Sequence, residues 1–279
     1  MIGTGIFRPR TLRIASACIF SLPALGQTQE QPQPEEELAK QLSNPVADLV
    51  SIPLQFNWEN DVGSDEELRF VLNFQPVVPF SLSENWNFIG RLILPIVSQP
   101  ALTPGGEAEF GTSDIVLSGF FSPTGSGGPI WGVGPVFGLP TTTDPVLGTG
   151  KWQVGPTAVV LKQTGPWTYG ALVNHLWSFA DTGDIERDDV SKSFVQPFLA
   201  FTTGTAVTYS INAESTYDWE VESGEKWTAP INVSISKVTR LGPFPFSIAG
   251  GGGYFVAHPE IGPEWKLRSV FTLILPRGK

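Results

Sequence analysis

From Val50 onward, apolar residues recur at every second position. In 50–59, Ile52, Leu54, Phe56 and Trp58 share one face, and Gln55, Asn57 and Glu59 share the other. In 68–80, Leu68, Phe70, Leu72, Phe74 and Val78 oppose Arg69, Asn73 and Gln75. The same alternation runs through 86–97, 207–219, 227–237 and the last segment, where Trp265, Leu267, Phe271, Leu273 and Leu275 oppose Lys266, Arg268 and Thr272. A period of two is the mark of strands with one apolar and one polar face. Weaker segments near 112–122, 130–139, 151–163, 166–178, 191–203 and 244–256 bring the expectation to about twelve strands. In the first half of the chain the connections alternate clearly between long and short, and the long set carries most of the loop acids. That alternation predicts long loops on one rim and tight turns on the other, with both barrel ends in the periplasm.

Before the strands the pattern changes. Arg8, Arg10 and Arg13 precede the apolar run Ile14 to Leu25, and Ala24-Leu25-Gly26 offers small residues at −3 and −1. This reads as a signal peptide over 1–26; twelve apolar residues are too few to span a bilayer as a helix. Residues 27–47 read as a polar linker and one short helix, Glu35 to Ser43, with acids in its first turn. Leu38, Leu42 and Val46 form an apolar stripe at i, i+4 and i+8 that needs a surface to pack on. Residues 48–279 are assigned to the strand-built domain.

Composition separates the remaining architectures. Thirty glycines and 25 prolines disfavour helical bundles and doubly wound folds, and a net charge of −10 disfavours nucleic acid as a partner. The sole cysteine, Cys18, falls inside the leader, so the mature chain carries no thiol through an oxidising compartment. A soluble β-sandwich also alternates its faces. Here, however, the polar faces hold Arg, Glu and Asn in mid-strand, which a dry sandwich core would not accept. Trp58, Trp86, Trp131, Trp152, Trp167, Trp177, Tyr217, Trp219 and Trp227 sit near strand ends, where membrane-interface girdles belong. The fold class expected is therefore all-β: an antiparallel transmembrane β-barrel of about 12 strands with a short N-terminal helix.

The segments LAKQLSNPVADLVSIPLQFN (38–57), GPTAVVLKQTGPWTYGALVNHLWSFA (155–180), QPFLAFTT (196–203), NAESTYDWE (212–220) and the final strand carry a resemblance. They resemble a family of bacterial outer-membrane barrels described as transporters of the meta-pathway of phenol degradation, some of which bear the misleading label neuromedin U. The resemblance implies a protein of the Gram-negative outer membrane that passes small organic solutes, aromatic or hydrophobic ones among them, and it brings no catalytic residues. The partners implied are the lipid bilayer, the solute and the barrel-assembly machinery.

Little in the chain suggests catalysis. Two histidines exist. His175 shares a face with Tyr169, Val173 and Trp177 and reads as an interface residue, while Ser178, three positions on, falls on the opposite face. There is no cysteine or histidine cluster for a metal, and the glycine run 250–253 lacks the lysine of a phosphate loop, so no cofactor is expected. The pore-lining candidates are Glu59, Arg69, Asn73, Arg91, Asn174, Asn212, Glu214, Asp218, Lys266 and Arg268. Arg69 and Arg91 are expected to form a basic strip facing Glu214 and Asp218. The function read from these residues is passive passage of small organic solutes. The competing reading is a structural or surface-contact barrel with a closed lumen, which Leu172, Phe194 and Phe198 turned inward would favour.

Overall fold

The structure is a computed structural model that describes Met1 and residues 34–125, 127–183, 187–221 and 224–275. The leader assignment therefore falls outside the described residues. In chain order the elements are a helix α1 (Glu35–Leu42) and strands β1 (Val50–Val62), β2 (Glu67–Phe74), β3 (Val77–Ser83), β4 (Trp86–Gln99), β5 (Glu109–Thr112), β6 (Ile115–Pro123) and β7 (Ile130–Leu139). A 3-10 turn (Pro145–Leu147) follows. Then come β8 (Lys151–Thr164), β9 (Trp167–Asp181), β10 (Ser191–Thr202), β11 (Val207–Ala213), β12 (Ser215–Asp218), β13 (Trp227–Leu241), β14 (Phe244–Ala257) and β15 (Trp265–Leu275).

All pairings are antiparallel, and β15 pairs with β1 from Val50 opposite Leu275 to Asn60 opposite Trp265. The sheet thus closes on itself as a barrel of twelve crossings, because β2–β3, β5–β6 and β11–β12 each make one interrupted crossing. Two interruptions are proline effects. Phe74 faces Leu94 and Val77 faces Arg91, so the register is unchanged across Pro76, which has no N–H to give the ladder. Likewise the β11–β12 break falls at Glu214, whose N–H reaches the carbonyl of Pro230 at 3.3 Å. The third is a bulge: Ile96 faces Thr112 but Ile93 faces Val116, a slip of one residue at Ser113–Asp114. Asp114 there accepts from the backbone N–H groups of Thr142 and Thr149 and from the Thr149 hydroxyl, fixing the loop after β7.

Alternation sends one face of each strand out. Tyr209, Ile211, Val233, Ile235, Ile248 and Leu267 are exposed on the outer wall. So large a continuous apolar surface requires lipid as its solvent. All nine tryptophans are exposed, with Trp86, Trp131 and Trp167 at one rim and Trp58, Trp152, Trp177, Trp219, Trp227 and Trp265 toward the other. They mark the two interfaces of the band. The first rim carries the tight turns and both barrel ends, the second the longer loops. The glycine run in β14 serves close approach: a Cβ on Gly251 would overlap the carbonyl of Val233, and one on Gly253 would overlap the Asn232 side chain.

Residues 35–49 fill the turn-rim end of the lumen. A helix of eight residues is unstable alone and needs tertiary support. Leu38 and Ala39 are buried against Ala206, Val238 and Ile274. The Arg240 guanidinium meets Glu35 at 2.7 Å, and the Gln163 amide donates to the carbonyl of Lys40 at 2.9 Å. The chain then turns, with the Asn44 side chain accepting from Val46 N–H at 3.0 Å. Val46 enters a separate apolar cluster with Ile89, Phe120, Val159, Leu161 and Leu172, against which Phe194 and Phe198 pack. The stripe expected from the sequence is therefore divided between two clusters, because the helix ends at Leu42.

Candidate functional site

The inner wall is polar on one side and apolar on the other. On the polar side Arg268 stands on β15, and its two terminal nitrogens donate to both oxygens of Glu214 at 2.8 Å. Its Nε donates to Asn57 Oδ1 at 2.7 Å. Lys266 approaches the same carboxylate at 3.4 Å and lies over the ring of Phe255. The bidentate geometry is the strong form of the pair, and it compensates the removal of both charges from bulk water. One step toward the loop rim, Arg69 meets Glu59 at 2.7 Å and reaches Gln99 at 3.4 Å. Beyond that, Lys192 meets Asp218 at 3.0 Å. Lys151, at the loop-rim end of β8, binds Asp181 at 2.9 Å and Asp189 at 3.1 Å. The Lys151 ammonium and the Ser178 hydroxyl hold the Asp189 carboxyl below its ordinary range.

These pairs replace the expected basic strip. Arg69 is neutralised by Glu59, its direct cross-strand partner, and Glu214 and Asp218 are matched by Arg268 with Lys266 and by Lys192. Glu59–Arg69 and Lys192–Asp218 are direct cross-strand neighbours, whereas Arg268 and Lys266 reach Glu214 past β13 and β14; in each case the closest opposite charge wins, because the Coulomb energy falls with distance. Arg91 differs. It donates to Gln75 Oε1 at 2.9 Å and forms no ion pair among the described residues.

The remaining candidates also occupy inward positions. Asn73 lies opposite Gln55, Asn174 lies beside Thr157 and Phe194, and Asn212 accepts from Asn232 at 2.9 Å. Several contributors were not among the expected lining residues: Asn57, Gln75, Gln99, Lys151 and Lys192. Asn57 and Gln75 stand on the polar face of their strands, a visible signal; Lys151 opens a weakly alternating strand and offers none.

Two spaces flank this belt. A cavity of about 330 Å3 lies toward the turn rim, beside residues 39–49, and is lined among others by Gln55, Gln75, Arg91, Gln196, Ser210 and Asn212. At the loop rim a vestibule of about 1030 Å3 is lined by Asp188, Asp189, Asp218, Glu220 and Glu225 together with Arg187 and Lys192.

His175 stands on the outer face, its ring 4.1 Å from that of Trp177. Its Nδ1 lies 2.8 Å from the hydroxyl of Ser193, which faces it across the β9–β10 pair and also accepts from the indole of Trp219 at 3.0 Å. A partner on the next strand is invisible to a search along one strand. The second ring nitrogen faces the Ser191 hydroxyl at 3.4 Å rather than a carboxylate, so the acid of a relay is missing from this pair. Among the described residues no group of His, Cys, Asp and Glu is arranged to hold a metal.

The fold is similar to that of a known membrane protein. An outer membrane channel from Pseudomonas putida F1 matches with a TM-score of 0.60 and 14% sequence identity, over 81% of this chain and 96% of that one. The chain is a β-barrel of the outer-membrane type. A second match, outer membrane phospholipase A from Escherichia coli, reaches a TM-score of 0.45 and 10% identity over 88% of this chain and 98% of the other. No family model and no curated protein sequence matches. At 14% identity the likeness to the channel concerns the fold.

Proposed function

We propose that this barrel is an outer-membrane channel for passive passage of small organic solutes, narrowed at the turn rim by residues 35–49. The observation that supports it most is the belt of inward charges at Glu59–Arg69, Glu214–Arg268–Lys266 and Lys192–Asp218. Ion pairs of this kind line a hydrated path more readily than a dry core, where an apolar replacement is at least as stable. The proposed path joins the acidic vestibule to the cavity beside α1 along the β15–β1–β2 wall. The likeness to a channel of the same fold agrees with it, and the resemblance to transporters of phenol degradation suggests aromatic solutes.

The closed-lumen reading has its own support in the cluster of Val46, Leu172, Phe194 and Phe198, which occupies the opposite half of the turn rim. Planar-bilayer recording of the purified protein decides between the two. The channel reading expects discrete steps that grow when residues 27–47 are deleted. A folded barrel that stays silent in both forms overturns it in favour of the closed lumen.

A further inference from the structure

We propose that the cavity beside α1 is a binding site for a small organic monoanion, a carboxylate on a compact apolar body, held by Arg91. The inference deepens the channel reading by naming the class of solute that pauses in the path.

Three features of the cavity lead to it. The first is charge. Every other cation on the inner wall that forms the belt has a carboxylate within 3.4 Å: Arg69 has Glu59, Lys192 has Asp218, and Lys266 and Arg268 share Glu214. Arg91 instead spends one N–H on Gln75, and among the described lining residues it is the only charged side chain. A guanidinium carries five donors in a planar fork that matches a carboxylate, so most of its donor capacity is unused toward the cavity. The Glu214 carboxylate, which attracts it electrostatically, is already held by Arg268 and Lys266.

The second feature is the remaining lining. Gln55, Gln196, Ser210, Asn212 and Ser234 supply neutral donors and acceptors. Leu42, Val77, Phe198 and Val270 supply apolar surface. A few convergent polar groups on an otherwise apolar wall describe a small-molecule site, and about 330 Å3 lies at the small end of the range for such sites. The third is position. The pairs Glu59–Arg69 and Glu214–Arg268 stand between the cavity and the vestibule acids, and their cations offset the field of those acids.

The test compares two probes of one shape, cyclohexanecarboxylate and cyclohexylmethanol, by calorimetry on the full mature chain in lipid nanodiscs. The acid is expected to bind at least about tenfold more tightly, the value of one charge-assisted hydrogen-bonded contact. Arg91→Gln should erase that preference, and Arg91→Lys should keep a part of it. Equal binding of the two probes, no binding of the acid, or an acid preference that survives Arg91→Gln each overturns the site. Should Arg91→Gln fail to fold, the comparison of probes on the natural chain and on Arg91→Lys still decides. Conductance is recorded separately. A silent barrel that nevertheless prefers the acid keeps the site and removes the channel, and a conducting barrel indifferent to charge does the reverse.

Discussion

Inside the barrel Arg268, on β15, donates two parallel hydrogen bonds of 2.8 Å to the carboxylate of Glu214, the residue that follows β11. Glu214 sits where the ladder lapses against Pro230, so a backbone weakness and the strongest ion pair of the lumen share one level of the wall.

Replacing Glu214 with Gln leaves Arg268 and Lys266 side by side without their carboxylate. We expect a loss of about 3 kcal/mol, the scale for removing one partner of a buried pair. A lower midpoint in urea unfolding from lipid vesicles, together with a reversal potential moved toward anions, checks both parts.

Glu59 and Arg69 offer a cleaner measurement, because they are direct cross-strand neighbours. Glu59→Arg and Arg69→Glu should each destabilise the barrel, while the doubly exchanged chain recovers about 1 kcal/mol of coupling. A double-mutant cycle without coupling would show that the pair is decorative.

The helix seat is apolar, so Leu38→Asp should empty it. Burying an unpaired carboxylate between Val238 and Ile274 costs more than the eight-residue helix gains by docking. We expect larger conductance steps with the heat-modifiable mobility of the barrel on gels unchanged. Steps of natural size would place the constriction elsewhere.

Acid should loosen the same seat. Glu35, half-buried at the start of α1, is held below its ordinary value of 4.5 by its own backbone hydrogen bond first and by the Arg240 guanidinium second. A depressed carboxyl stabilises docking above its free-chain value and loses that contribution as the pH falls through the bound one. Protection of the α1 amides in hydrogen exchange should therefore hold above pH 4.5 and decline below it. Arg240→Gln should move the decline to higher pH. Protection independent of pH in both chains would rule out this anchor.

The barrel was legible because its signal is additive: Trp58, Leu72, Val233 and Leu267 each point outward by the same period of two, and the turns at 84–85, 165–166 and 242–243 punctuate it. Inwardness of Arg69, Arg91 and Arg268 followed from the same parity. Pairing did not. Whether Arg69 meets Glu59 or Glu214 depends on register, and register is set by closure of β15 on β1, which local pattern does not contain. His175 and Ser193 illustrate the same gap, since they are 18 residues apart in sequence and one strand apart in space. The division of the Leu38–Val46 stripe was hidden for another reason: Asn44 and Pro45 redirect the chain, and a helical period cannot report its own end.

The seat of α1 has a consequence for how the molecule is made. Its walls include Ile274 on the last strand, and its anchor joins Glu35 to Arg240 across 205 positions of sequence. The segment that leaves the ribosome ahead of the strands is thus among the last that can come to rest, since its resting place exists only when the final strand has arrived. Until then Leu38 remains unsheltered. Such long-range closure is slow. Occupancy of the seat therefore marks a finished molecule, and an amide of α1 that exchanges freely marks one whose seam is still open.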